Sequence, residues 1–247
     1  MNDSSSPLDA VQALLLQART SAQMERQERQ CFLERARLRP DQLTSLSVLR
    51  DPLAVRHLDD VDVVFIGGAG EYSAHHDFPW MDALLGFVQI IAERQIPLFG
   101  SCWGHQIIAR AFSGRVLHDS GRSELGCHTV SLTEAGESDP LFGTLPSSFK
   151  TNTGHHDRVA ELPEGAVELA CNAQHNQAFR MRDWPCYGTQ FHSELDAQRE
   201  HERLVEYREY YRDDMPDETE FQAVLDGLTE TPEVDDLLYR FLKTYAV

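Results

Sequence analysis

Val61-Asp-Val-Val-Phe-Ile66 runs into Gly67-Gly68, and further on Ile96-Pro-Leu-Phe99 runs into Gly100-Ser-Cys-Trp-Gly-His-Gln106. Both apolar runs are short and unbroken, as in strands buried on both faces. Between them, residues 79–94 set Met81, Leu84, Leu85, Val88, Ile91 and Ala92 at helical spacing. Ile107, Ile108, Ala111 and Phe112 continue the second run as another helix. Strand, helix, strand, helix in this order implies right-handed crossovers and a parallel sheet. The expectation is an α/β fold of three layers, a mostly parallel central sheet with flanking helices.

Outward from this unit the pattern extends in both directions. Residues 1–8 read as a polar tail. Residues 11–18 hold an apolar run suited to a buried strand, and 23–38 an amphipathic helix stopped by Pro40. Leu43 to Leu49 alternates as a strand would. Short strand-like runs follow at Cys127–Leu132, Ala166–Asn172, Gln177–Arg182 and Cys186–Phe191, separated by Gly, Pro and Asn turns. They are expected to extend the sheet, partly antiparallel. From Asp196 the chain becomes acidic and helical. Thr231 as N-cap and Pro232 at the first helical position start a terminal helix running to Val247. The whole is expected to be one domain, 1–247, with 196–247 as a C-terminal helical extension.

Composition narrows the function. Hydrophobic residues make up 41% of the 247 residues, enough for a sizeable core, and charged residues 25%. Against 22 Lys and Arg stand 40 Asp and Glu, a formal charge of −18. Phosphate repels such a chain, which argues against nucleic acid or an anionic membrane as the main partner. No apolar run approaches the ~18 residues of a membrane helix. The five cysteines are odd in number, and no pair has CxxC spacing. They read as reduced thiols of a cytoplasmic protein.

One cysteine stands apart. Gly100 and Gly104 flank Cys102 at two residues on each side, where a strand gives way to a helix. This is the pattern of a nucleophile elbow with Cys in place of Ser. The glycines permit a tight, strained turn, and the side chain projects above the carboxyl edge of the sheet. A helix N-terminus there favours thiolate. Most cysteines are small buried packing residues, and it is the setting of Cys102 that points to a nucleophile.

A nucleophile needs a base. Among eleven histidines, the run Cys186-Tyr-Gly-Thr-Gln-Phe-His-Ser-Glu194 singles out His192. In an extended segment, His192 and Glu194 point the same way. Glu194 could then accept from one imidazole nitrogen while the other faces the thiol, the nucleophile–base–orienter arrangement of a triad. Taken alone, His-x-Glu is more often a surface histidine near an unrelated carboxylate. It gains meaning beside the elbow.

Gly-Ser-Cys-Trp-Gly-His-Gln at 100–106 resembles the nucleophile motif of the class I (triad) glutamine amidotransferases. Tyr-Gly-Thr-Gln-Phe-His-Ser-Glu at 187–194 resembles that family's His–Glu motif, and the interval between the two motifs suits the family. Ile66-Gly67-Gly68-Ala69-Gly70 resembles its glycine loop. The glutaminase domain of GMP synthase and the γ-glutamyl peptidases share these features. Two positions depart from the pattern: Ser193 stands where the family usually has Pro, and Ala69 where Pro commonly follows the glycine pair. Neither departure removes a reacting atom.

The resemblance implies a flavodoxin-like amidotransferase fold and no cofactor. It implies an oxyanion hole from backbone N–H groups near Gly68 and Trp103. Gln106 resembles the glutamine that helps to bind substrate, and Thr153-Gly-His-His-Asp157 the segment whose backbone, at Gly154, His155, His156 and Asp157, holds the amino-acid end. The pairs His155–His156 and His75–His76 also invite a metal reading. Adjacent histidines diverge, however, and no third ligand has the required spacing, so no metal is expected.

The implied reaction is hydrolysis of a γ-glutamyl amide through a thioester on Cys102. Glutamine would release ammonia to a separate synthetase. The alternative is a stand-alone γ-glutamyl peptidase or hydrolase. A catalytically silent regulatory module is disfavoured by the intact Cys, His and Glu, and a cysteine hydrolase of a related elbow fold by the late His-x-Glu. The tyrosines among the charges of 196–231 leave two options open: a solvated helix, or one that covers the active-site edge or forms a homodimer contact.

Overall fold

The computed structural model describes residues 8–247. Residues 1–7 of the expected tail lie outside the described residues, and Leu8 is buried in the core. The first half is built of β1 (Ala13–Gln17), α1 (Ala22–Ala36), β2 (Leu43–Ser47), β3 (Val63–Ile66), α2 (Met81–Glu93), β4 (Leu98–Ser101) and α3 (Trp103–Ala111). Then come β5 (Arg115–His118), β6 (Glu124–Leu132), the short α4 (Glu134–Glu137), β7 (Ser148–His155), β8 (Asp157–Glu161), β9 (Ala166–Cys171), β10 (Ala178–Met181) and β11 (Cys186–Thr189). Three helices follow: α5 (Ala197–Glu206), α6 (Glu218–Asp226) and α7 (Leu237–Tyr245).

Nine strands form one sheet in the order β2-β1-β3-β4-β11-β10-β9-β6-β7. From β2 to β11 all neighbours are parallel. From β11 onward all are antiparallel. β5 and β8 pair as a separate antiparallel ribbon. The apolar runs of β1, β3 and β4 explain the parallel half, because each strand is buried on both faces. Successive residues feed opposite layers. Leu15, Phe65 and Phe99 pack with Phe32 of α1 and Leu238 and Phe241 of α7. Leu14, Leu16, Val64, Ile66 and Leu98 pack with α2 and α3. This is the expected α/β sheet flanked by helices.

Local chemistry moves several boundaries. The side chain of Ser21 caps α1, and the helix ends on Arg37 in the left-handed conformation, φ 55°. It therefore stops ahead of Pro40, which instead opens a short 3-10 turn. The strand expected to reach Phe191 ends at Thr189. Thr231 does not start the last helix: residues 232–236 are turns, and α7 begins at Leu237 after Asp236. The Thr231 hydroxyl is buried without a partner. The acidic stretch is not one solvated helix. It folds back as α5, a 3-10 turn at Arg208–Tyr211 and α6, and Leu204, Tyr207, Tyr211, Phe221 and Leu225 form a third apolar cluster with Met24 and Leu125.

Candidate active site

At the carboxyl end of β4 the chain turns sharply into α3. Cys102 sits at the corner with φ 50° and ψ −102°, a left-handed conformation that costs a non-glycine residue of order 1–3 kcal/mol. Its N–H donates to Thr189 O of β11 at 2.7 Å, which holds the strained residue in place. The flanking glycines are required by close approach. A Cβ on Gly104 would lie 2.2 Å from Ile66 O, and one on Gly100 2.5 Å from the Gly104 carbonyl carbon. Cys102 is buried, and its Sγ lies 3.8 Å from Gly154 O and 3.7 Å from Gln190 Nε2.

His192 and Glu194 are brought to the same place. They lie in a bend rather than in the extended strand expected from the sequence. His192 is fixed through an isolated bridge to β7, donating its N–H to Asn152 O at 3.1 Å. The imidazole Nδ1 meets Glu194 Oε1 at 2.7 Å. The other carboxylate oxygen accepts from Ser101 Oγ at 2.7 Å. Burial opposes a charge on His192, but Glu194, Glu200 and Cys102 together outweigh it and lift the imidazole well above its ordinary range. Burial would raise Glu194, yet the charge and hydrogen bond of His192, the charge of Arg203 and the hydrogen bond of Ser101 together hold it down at about 2. The pair is thus built to carry an imidazolium against a carboxylate.

Beneath the pair lies a buried charge network that no motif announced. Arg203 of α5 donates to Glu194 Oε1 at 3.4 Å and lies 3.8 Å from Glu28 Oε1. Glu28 of α1 accepts from Arg19 at 2.8 Å and from Gln17 Nε2 at 3.0 Å. Glu200 is buried beside them, and burial raises its carboxyl. The only trace in the sequence is Glu28 itself, a charge on the stripe of α1 that also carries Met24, Cys31 and Phe32.

The glycine loop departs from expectation. The Gly68 N–H donates to Glu28 Oε1 at 3.1 Å, so it does not face Cys102 as a free donor. Ala69 and Gly70, with Trp103, line the cleft beside the thiol, and Gly68 does not. Gly68 instead packs on the imidazole, where a Cβ would lie 3.2 Å from His192 Cε1. Gly70 is pressed by the Tyr207 ring, which a Cβ would meet at 2.4 Å.

Gln106, Gly154, His155, His156 and Asp157 all line the same cleft. Their side chains are mostly committed to the protein. Gln106 Nε2 donates to Asp157 O at 2.6 Å and to Gln190 Oε1 at 3.1 Å. His155 bridges Asp157 O and Glu124, and His156 bonds Asp214 and stacks on Tyr211. Asp157 accepts from Ser73 Oγ at 2.6 Å and meets His118 Nδ1 at 2.9 Å. Tyr211 closes the edge, its hydroxyl donating to Gly154 O at 3.0 Å. Tyr211, Ser101, Arg203 and Gln190 are the neighbours that sequence reading missed. Ser101 and Gln190 lie inside the quoted motifs, but nothing in those motifs marks them.

A cysteine at a strand-to-helix elbow thus lies beside a His–Glu pair at the carboxyl edge of a parallel sheet, and the chain belongs to the class-I glutamine amidotransferase family, whose model matches residues 42–208. Among its relatives is one subunit of the glutamine-hydrolyzing GMP synthase of Archaeoglobus fulgidus, 32% identical over 145 residues, 57% of this chain and 70% of that one. The corresponding GMP synthase subunit of Pyrococcus abyssi is 36% identical over 110 residues, 44% of this chain and 56% of that one. In structure the chain is similar to a glutamine amidotransferase of Thermotoga maritima, with a TM-score of 0.73 at 20% identity, covering 96% of this chain and 98% of the other. A glutamine amidotransferase of Methylobacillus flagellatus gives 0.66 at 21%, covering 96% and 95%. At such identities the structural likeness speaks for the fold.

Proposed function

We propose that the protein hydrolyses a γ-glutamyl amide through Cys102, His192 and Glu194, with glutamine the simplest substrate. The observation that carries this reading is the strained Cys102 corner in one cleft with His192, whose Nδ1 lies 2.7 Å from the buried Glu194. Cys102 Sγ bonds to the side-chain carbonyl carbon, and the oxyanion is held by the Trp103 N–H, at the open start of α3, and by the Ala69–Gly70 backbone. The C–N bond breaks as His192 gives its proton to the leaving nitrogen, and ammonia departs. Water then attacks the γ-glutamyl thioester, His192 takes its proton, and glutamate leaves. Glu194 keeps the imidazole oriented and charged. The backbone around Gly154–Asp157 receives the α-amino and α-carboxylate groups.

Ammonia from glutamine would pass to a separate synthetase, a reading supported by relatives named as subunits of a GMP synthase. A second reading, a stand-alone γ-glutamyl hydrolase, is favoured by the size of the cleft, about 350 Å³. One assay addresses both. Ammonia and glutamate release are measured for glutamine, asparagine, and γ- and α-linked glutamyl amides. γ-Glutamyl substrates should exceed the others by about 10²-fold, since moving the carbonyl by one methylene misplaces it against Cys102. Comparable rates throughout would make this a general amidase.

A further inference from the structure

The cleft beside Cys102 holds far more than ammonia, and its volume lies in the range of small-molecule sites. Tyr72, Phe78, Trp103, Tyr210 and Tyr211 give it an aromatic lining. Trp80 backs this wall, stacked on Phe78 at 5.2 Å and edge-on to Tyr72 at 5.3 Å. Glu71 is part of the same wall. Its Oε1 accepts the N–H and hydroxyl of Thr20 at 3.3 and 2.5 Å, and its Oε2 has no hydrogen-bond partner. The negative charge of Glu71 bears on the hydroxyls of both Tyr72 and Tyr207. Among the described residues no Lys or Arg lines this part of the cleft; Arg19 and Arg203 line the adjoining recess on the His192 side of Cys102.

We propose that this cleft seats the amine side of the scissile bond and selects amines with a second positive charge, so that the substrate class is γ-glutamyl amides of diamines. The inference rests on the γ-glutamyl reading above. Aromatic faces attract an ammonium, the Glu71 carboxylate reinforces them, and a chain of charge −18 concentrates cations around itself. An amino-acid or peptide leaving group would bring a carboxylate to a wall that offers no permanent cation. In the acylation step the Cys102 Sγ–C bond forms and the C–N bond breaks. The imidazolium proton goes to the leaving nitrogen, and the distal ammonium is unchanged throughout. Water then releases glutamate as above.

Three substrates of equal length test the idea: γ-glutamyl amides of 1,4-diaminobutane, of n-pentylamine and of 4-aminobutanoate. The kcat/KM should be highest for the ammonium, about tenfold over the methyl, and lowest for the carboxylate. Glu71→Gln should collapse the ammonium-to-methyl ratio, and Tyr210→Ala, at a half-exposed ring, should reduce it. Free 1,4-diaminobutane should bind Cys102→Ala protein and perturb its tryptophan fluorescence. Equal rates for the three amides, or a ratio untouched by Glu71→Gln, would overturn the proposal. Diamine binding without glutamate release from any γ-glutamyl substrate would sink the hydrolase reading and uphold the subsite. Glutamine hydrolysis without diamine binding or amine preference would sink the subsite alone.

Discussion

Burial raises the thiols of three of the five cysteines. Cys31 is fully buried and pushed up to about 12, and Cys186 is pushed well above its ordinary value, in both cases by desolvation. Cys171 is also raised by burial. Cys102 alone shares a cleft with the imidazole of the buried His192–Glu194 pair. Iodoacetamide is therefore expected to modify Cys102 well ahead of the other four in the folded protein, read by peptide mass mapping. Uniform labelling would remove the case for an activated thiol. Cys102→Ala should abolish turnover with the fold intact, and His192→Ala should lose about 10³-fold or more. Glu194→Gln should cost less in rate, yet it should lower the His192 titration, because burial is then opposed only by Glu200 and Cys102. The imidazole Cε1–H resonance, followed against pH in both proteins, reads this directly. An unchanged titration would mean that Glu194 does not hold the proton.

Helix α5 is the element on which the site leans most and which the sequence disclosed least. Cys102 could be singled out because Gly100 and Gly104 flank it at a strand end, where covalent geometry leaves few options, and the His–Glu pair because it closely follows the strand that ends at Thr189. The parallel strands were legible for a related reason: double-sided burial writes an unbroken apolar run. Arg203, Glu200 and Tyr211 left no such mark. Their partners are distant in sequence, and a charge that will be buried looks the same in sequence as one that stays in water. Boundaries slipped for local reasons too, as when Arg37 ended α1 by a left-handed turn before Pro40 could. Arg203→Met removes one of the two cations facing each of the buried carboxylates Glu28 and Glu194, which keep Arg19 and His192, and loss of about 1–3 kcal/mol is expected from chemical denaturation. Arg203→Lys keeps the charge but not the fork, so it should fold and show kcat lowered about tenfold with KM nearly unchanged. A change in KM alone would show that α5 serves the substrate rather than the triad. Tyr211→Phe removes one hydrogen bond, about 1 kcal/mol, and keeps the stack on His156.

At the scale of the whole molecule, charge and proton uptake set the working range. Glu194 is held at about 2 against an ordinary 4.5, so its contribution to stability is full above pH 4.5 and is lost as pH falls towards 2. His192 is raised above 6.5, so its contribution is full below that value and is lost as pH rises through the elevated one. The stability gap between wild type and Glu194→Gln, from urea melts, should thus narrow on acidification below pH 4.5. Glutamine is a neutral zwitterion, so its kcat/KM should change by no more than about twofold between roughly 0.05 and 0.5 M salt despite the charge of −18. A steep salt dependence would assign the net field a role in binding it. The antiparallel half of the sheet has a consequence of another kind. His192 is anchored to Asn152 of the edge strand β7, and Glu194 to Arg203 beyond the last strand, whereas the Cys102 corner belongs to the compact βαβ unit that precedes them. Contacts between such distant segments close late, after loop entropy has been overcome. During refolding from denaturant, the far-ultraviolet signal should return before hydrolytic activity, and a nascent chain should gain its scaffold well before its chemistry.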